Sequence, residues 1–276
     1  PALEAAREAQ DPRELTSALS GLRQAYLVAG DLERSDAIGR EYEELARELR
    51  IPWFQAGVEQ TRATRALLAG RFAEANEVYT QILRVAPRNF ATLPCIGALA
   101  CQQGRFPEGL HYLGQAIEVD ATSAEAFNNH GAALQGLSRH PEALESFDRA
   151  VSLNPAYADA YNNRGATLGA LGHTEEALAN FTRATALDPN HAGAHNNRGK
   201  TLGILGRYEE ATESLDRAIA LVPSFADAYN NRGIALGARK LYDAALESLD
   251  RALALQPNWV DALRNRGVIL DAAGRY

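Results

Sequence analysis

The chain has 276 residues, of which 46% are hydrophobic and 23% charged, so it has the apolar content to bury a core and is not of disordered composition. Its 28 Lys+Arg against 35 Asp+Glu leave a net charge of -7, which argues against the basic face that a nucleic-acid binder needs to displace counterions. No apolar run approaches the roughly 18 residues of a membrane span, and no signal-peptide pattern opens the chain, so a soluble, reducing, cytoplasmic setting is expected.

Residues 12–29 and 31–49 each carry amphipathic helical patterning, with Gly30-Asp31 as the turn between them. The polar positions Glu33, Arg34, Arg40 and Glu41 suit a helical end cap over residues 1–55 that keeps the adjoining array soluble.

From residue 56 onward a period of 34 takes over. Gly97, Gly131, Gly165, Gly199, Gly233 and Gly267 stand 34 residues apart, and the text around them recurs: AFNNHGAAL, AYNNRGATL, AHNNRGKTL, AYNNRGIAL and ALRNRGVIL. Twelve residues after each glycine stands a small residue (Ala143, Ala177, Ala211 and their equivalents), and sixteen after it a large apolar one (Phe147, Phe181, Leu215). A proline at Pro87, Pro155, Pro189, Pro223 or Pro257 cannot continue the preceding helix and closes the unit; Ala121 is the exception. Each unit therefore reads as two antiparallel helices with a Gly turn between them. The units are 56–89, 90–123, 124–157, 158–191, 192–225 and 226–259, with a half unit at 260–276.

Within this stretch Cys95 and Cys101 lie six apart on one helix. Their Cα atoms would sit about 9 Å apart, too far for a disulfide, so reduced structural thiols are expected. No other residues supply a metal-ligand spacing, and neither metal nor cofactor is expected.

The period, the glycine and alanine positions and the closing proline resemble the tetratricopeptide repeat family, in its bacterial form, from Ala56 to the end of the chain. The resemblance implies an all-α fold, a right-handed superhelical solenoid of antiparallel helix pairs. Two departures stand out. His130, Arg164, Arg198, Arg232 and Arg266 precede the glycine where the family has an aliphatic residue, and Ser138 and Lys240 occupy turn positions taken elsewhere by glycine.

No phosphate-binding Gly loop, HExxH, nucleophile elbow or catalytic Cys/His pair is present in the text, so no catalytic residue is assigned and the chain is not expected to be an enzyme. In a stacked array the first helix of each unit lines the concave surface. Counting 100° per residue places Glu125, Asn129, Ala132 and Gly136 on one stripe, and likewise Asp159, Asn163, Ala166 and Ala170. Continuing unit by unit, the stripe yields five asparagines (Asn129, Asn163, Asn197, Asn231, Asn265), four carboxylates (Glu125, Asp159, Asp227, Asp261) and one cation, Lys200. An amide both donates and accepts, so such a ladder suits the backbone of an extended peptide whatever its sequence. It is similar to the asparagine-lined groove of the O-linked N-acetylglucosamine transferase repeat domain. The acids favour a neutral or basic peptide or partner-protein segment. On this reading Asn163→Ala with Asn197→Ala leaves stability within about 1 kcal/mol.

The expected function is a non-catalytic protein-interaction scaffold with a peptide groove. Two alternatives stand beside it. Methionine is absent and the text stops at Gly274-Arg275-Tyr276 inside a hairpin, which suits the substrate-recognition arm of a larger enzyme such as a glycosyltransferase. The exposed apolar seam at Val268 and Leu270 suits a self-assembling homo-oligomer. No nucleic acid or membrane is expected as a partner.

Overall fold

The helix boundaries are set by the turn chemistry. The computed structural model describes residues 52–275, with side chains from Glu59 onward, together with isolated positions between residues 18 and 41. The expected cap helices at 12–29 and 31–49 lie almost wholly outside the described residues. Residues 52–275 hold thirteen α-helices, the isolated described positions before them are also helical, and no strand occurs among the described residues. It divides into two compact units, Pro1–Val119 and Asp120–Tyr276.

In the first unit the helices are α1 (Pro52–Leu68), α2 (Phe72–Val85), α3 (Leu93–Gln102) and α4 (Phe106–Val119). Tyr79, Val78 and Ile82 of α2 form a core with Ala63 and Ala66 of α1 and Ile96 and Leu99 of α3. Burial and the neighbouring Cys95 push the Tyr79 phenol up to about 12. A polar bridge also joins the two hairpins: Thr92 Oγ1 donates to Gln60 Oε1 at 2.7 Å, and Gln60 Nε2 donates to the Ala91 carbonyl at 3.0 Å and to Cys95 Sγ at 3.5 Å.

The second unit holds the near-verbatim repeats: α5 (Ala124–Gly136), α6 (His140–Leu153), α7 (Ala158–Ala170), α8 (Thr174–Leu187), α9 (Ala192–Ile204), α10 (Tyr208–Leu221), α11 (Ala226–Ala238), α12 (Tyr242–Leu255) and α13 (Val260–Ala272). Within this unit α5, α7, α9 and α11 each pack against their own second helix, α7, α9, α11 and α13 pack against the second helix before them, and successive first helices touch one another.

The recurring glycine lies where the two helices of a pair touch. A Cβ placed on Gly131 would fall 2.7–2.9 Å from three ring atoms of Phe147, closer than side-chain atoms approach. Phe147 and its equivalents Leu215 and Leu249 are fully buried, as are the alanines Ala143, Ala211 and Ala245. Outside α13, every such glycine in this unit meets its large apolar partner this way.

First helices end in a Schellman arrangement, in which the residue after the turn donates back to the third-last helical carbonyl. Arg139, His173, Arg207 and Leu241 donate their N–H to Leu134, Leu168, Leu202 and Leu236 at 2.9–3.0 Å. The residue between must adopt positive φ, which glycine takes freely and other residues do not. Gly172 and Gly206 fill it in two hairpins, but Ser138 (φ 58°) and Lys240 (φ 62°) hold it in the others. Ser138→Gly and Lys240→Gly are each expected to raise unfolding free energy by about 0.5–1 kcal/mol, measured by urea melts. A loss of stability in both would show the strain to be absorbed elsewhere.

Second helices end into a turn where Asn154 Oδ1 accepts from the Ala156 N–H at 3.0 Å and Asp188 Oδ1 from Asn190 at 2.9 Å. Pro155 and Pro189 sit inside these turns, so the proline and the Asx side chain stop the helix together.

Candidate functional site

In the second unit the predicted stripe falls on one face, made by α5, α7, α9, α11 and α13 side by side. Glu125, Asp159, Asp227, Asp261 and Lys200 are exposed, and the five ladder asparagines are half-buried among them. This is the arrangement expected of a strip open to solvent along its edges and anchored in its middle.

The anchor is a second set of amides. Asn163, Asn197, Asn231 and Asn265 donate from Nδ2 to Oδ1 of Asn128, Asn162, Asn196 and Asn230 of the preceding repeat, at 3.0, 3.0, 3.0 and 2.9 Å. Asn128, Asn196 and Asn230 are buried. The adjacent asparagine of each NN pair therefore accepts across the seam, and the ladder asparagine donates. At Asn129 and Asn163 the side-chain carbonyl also accepts from Nδ2 of the adjacent Asn128 and Asn162 at 3.4 Å, and each cross-seam donor keeps a second Nδ2 hydrogen beyond the one it gives across the seam. The amides have a structural role that the stripe arithmetic did not assign, so removing them has a stability cost. In the first unit the same 35-residue relation is kept by Gln60 and Cys95.

The row of residues preceding the first helices was missed by the sequence reading. Tyr157, His191, Phe225 and Trp259 stand at these helix starts, half-buried beside the acids. Burial, with the Glu125 and Asp159 carboxylates on either side, pushes the Tyr157 phenol up to about 12. His191 accepts the Ala194 N–H at Nδ1 as a helix cap, which turns Nε2 toward Asp159 Oδ1 at 3.1 Å, within ion-pair distance but off the line of a hydrogen bond. The available signal was an aromatic or His two residues before the stripe's acid position, which is Gly193 after His191, recurring at the period.

The acids are therefore not equivalent. Asp159 faces His191, and Asp261 is paired with Arg264 at 2.8 Å. Glu125, Asp227 and Lys200 form no ion pair among the described residues. Beyond the asparagines the stripe becomes apolar toward α13: Ile204 is 68% exposed, Ile234 45% and Val268 61%. A cavity of about 290 Å³ opens between α11 and α13, lined by Ile234, Ala238, Tyr242, Val268 and Ala272 with Asn265 at its edge.

The arginine row is tied into the seams. Arg164, Arg232 and Arg266 reach back sixteen residues to Asp148, Asp216 and Asp250 at 2.6, 2.6 and 2.5 Å. Arg164 and Arg232 also reach forward sixteen residues, donating to Asn180 Oδ1 at 3.1 Å and Ser248 Oγ at 2.7 Å. The buried serines Ser214 and Ser248 donate in turn to the carbonyls of Glu210 and Ala244, so each hydroxyl both accepts from an arginine and donates. The position before the recurring glycine thus closes the seam with a charged staple rather than an apolar contact.

One staple lacks its acid. Arg198 Nε meets Thr182 Oγ1 at 3.3 Å in the place of an aspartate. Thr182→Asp is expected to add about 0.5 kcal/mol at low salt, as for a half-exposed pair, with most of the gain gone near 1 M NaCl. Paired urea melts at the two salt concentrations test this, and a salt-independent gain would count against a staple.

Among the described residues no group of three His, Cys, Asp or Glu is placed to hold a metal ion. No described helix is long and apolar enough to cross a membrane.

Family models match four overlapping stretches: three described as tetratricopeptide repeat, over residues 122–190, 180–213 and 226–258, and one described as TPR repeat, over residues 204–239. No curated protein matches the chain. Among solved structures it is similar to YrrB, described as a TPR protein with an unusual peptide-binding site, at 24% identity and TM-score 0.55, over 70% of this chain and 100% of that one. PilW, a widely conserved type IV pilus biogenesis factor, aligns at 21% identity and TM-score 0.68 over 76% of this chain and 97% of that one. A tetratricopeptide repeat protein from Parabacteroides merdae aligns at 16% identity and TM-score 0.64 over 92% and 98%. At these identities the likeness is one of fold.

Proposed function

We propose that this chain, which carries tetratricopeptide repeats over residues 122–258, is a non-catalytic scaffold that holds an extended segment of a partner protein along its first-helix face. The observation that carries the reading is the composition of that face. Unpaired charges at Glu125, Asp227 and Lys200 and exposed apolar side chains at Ile204, Ile234 and Val268 flank a row of amides fixed in place by their neighbours. A monomer's surface rarely gathers apolar groups this way without a partner for them. Amides already held by inter-repeat bonds meet a backbone without losing side-chain freedom, which lowers the ordering cost of binding. The likeness of the asparagine row to that of the O-linked N-acetylglucosamine transferase repeat domain points the same way. The excess of acid over base on the stripe favours a segment of neutral or basic net charge.

Blocking the face tests this. Peptides enriched from a phage-displayed random dodecapeptide library on the wild-type chain are expected to lose at least tenfold in affinity for Ala170→Trp/Ala238→Trp, two exposed positions where the added rings fill the stripe. The same peptides are expected to keep their affinity for Glu145→Lys/Glu213→Lys on the second helices. Peptides that bind the tryptophan variant as well as the wild type would overturn the reading.

A further inference from the structure

One position of the stripe changes character along the second unit. Residues 132, 166, 200, 234 and 268 are equivalent by the period, and they read Ala, Ala, Lys, Ile, Val. The acid position does the reverse at the same place: Glu125, Asp159, Asp227 and Asp261 are interrupted by Gly193 on α9. Helix α9 thus removes a carboxylate and adds an ammonium, so the sign of the face inverts there.

Neighbouring charges do not neutralise Lys200. It lies seven residues along the axis from the acid position, about 10 Å, and the flanking acids belong to helices packed about 10 Å to either side. The resulting separation, roughly 14 Å, exceeds the screening length of about 8 Å at physiological salt. On its far side Lys200 is followed by Ile204, Ile234 and Val268 and by the cavity of about 290 Å³ between α11 and α13. On its near side the same rows hold only Ala132, Gly136, Ala166 and Ala170.

We infer that the occupant of this face is an extended segment with a fixed charge pattern: a basic residue over α5 and α7, an acidic residue over Lys200, and an apolar side chain in the cavity between α11 and α13. The spacing comes from geometry. First helices about 10 Å apart match three residues of extended chain at about 3.3 Å each. At the roughly 14 Å that separates Lys200 from the nearest stripe acid, the basic residue stands about four positions from the acidic one, and the apolar anchor four or five positions beyond it, in either chain direction. Lys200 sets the register, because it is the position where a like charge is rejected.

This inference rests on the first-helix face being the binding face, and the experiment separates the two. A random dodecapeptide library is panned on the wild-type chain and on Lys200→Glu, and enriched peptides are measured by fluorescence anisotropy. Wild-type sequences are expected to share an acidic residue four or five positions from Leu, Ile or Phe. Reversing that acid to Lys is expected to weaken binding at least fivefold to the wild type and to strengthen it for Lys200→Glu. Enriched peptides without that acid, or with an acid whose reversal is indifferent to Lys200→Glu, would overturn the charge pattern. If those peptides are still lost on Ala170→Trp/Ala238→Trp, the binding face stands without it. No enrichment at all, or enrichment that the tryptophans do not block, overturns both.

Discussion

Phe147→Ala is expected to destabilise the second unit by about 3–5 kcal/mol, the range for removing a fully buried aromatic side chain and leaving a cavity. The ring fills the contact between α5 and α6 and has no exposed surface through which the site can relax. Gly131→Ala attacks the same contact from the other side. Its new Cβ would meet the Phe147 ring at 2.7–2.9 Å, so a cost of about 1–3 kcal/mol is expected from overpacking. Combined, the two changes should cost less than their sum, by at least about 1 kcal/mol, because the methyl group enters the space the ring vacated. Urea melts of the four proteins give the cycle. Additive costs would mean that the glycine is required for another reason. In a repeat array the loss is local, so exchange protection should fall in α5 and α6 before it falls in α11 and α12.

The second large effect concerns the amides. Asn163→Ala removes the donor to Asn128 Oδ1, which is buried and would be left without that bond. An unsatisfied buried acceptor costs about 1–3 kcal/mol. Asn128→Ala has a smaller expected effect, since Asn163 is half-buried and water can take its hydrogen. The double variant should again recover part of the cost, because no partner is then orphaned. Thermal and urea unfolding of the single and double variants measure it. A change under about 0.5 kcal/mol for Asn163→Ala would show that the amides belong to the surface alone.

Much of this architecture is legible in the sequence, for a physical reason. A 34-residue period with a glycine under a large apolar residue specifies one close helix crossing, repeated. Proline and Asx residues mark where second helices stop, and Ser138 and Lys240 are visible as turn residues out of place, as their positive φ bears out. The face is legible in outline because helical spacing fixes which residues share a stripe. Across-seam partners are harder to read. That the arginine row pairs with neighbouring acids across the seam follows from its place on the helix. But that Asn163 reaches Asn128 depends on how one hairpin leans on the next, and that Arg232 also reaches Ser248 depends on how its own two helices cross, neither of which a count along one helix contains. The helix-start row of Tyr157, His191, Phe225 and Trp259 escaped for a similar reason. Its members differ in type and become a row only when the helices stand side by side. The N-terminal cap has no counterpart to compare, since residues 12–29 and 31–49 lie almost wholly outside those described.

The central claim is that partner segments lie across the first helices of the second unit. The amide chemical-shift map of that unit, recorded while a library-enriched dodecapeptide is titrated in, tests it most directly. The account predicts that the shifts concentrate at Asn163, Asn197, Lys200, Asn231, Ile234 and Val268, in a continuous band crossing α7, α9, α11 and α13. Shifts centred instead on the outer cleft of about 430 Å³ between α11 and α12, at Tyr229, Glu247, Asp250 and Arg251, would contradict it.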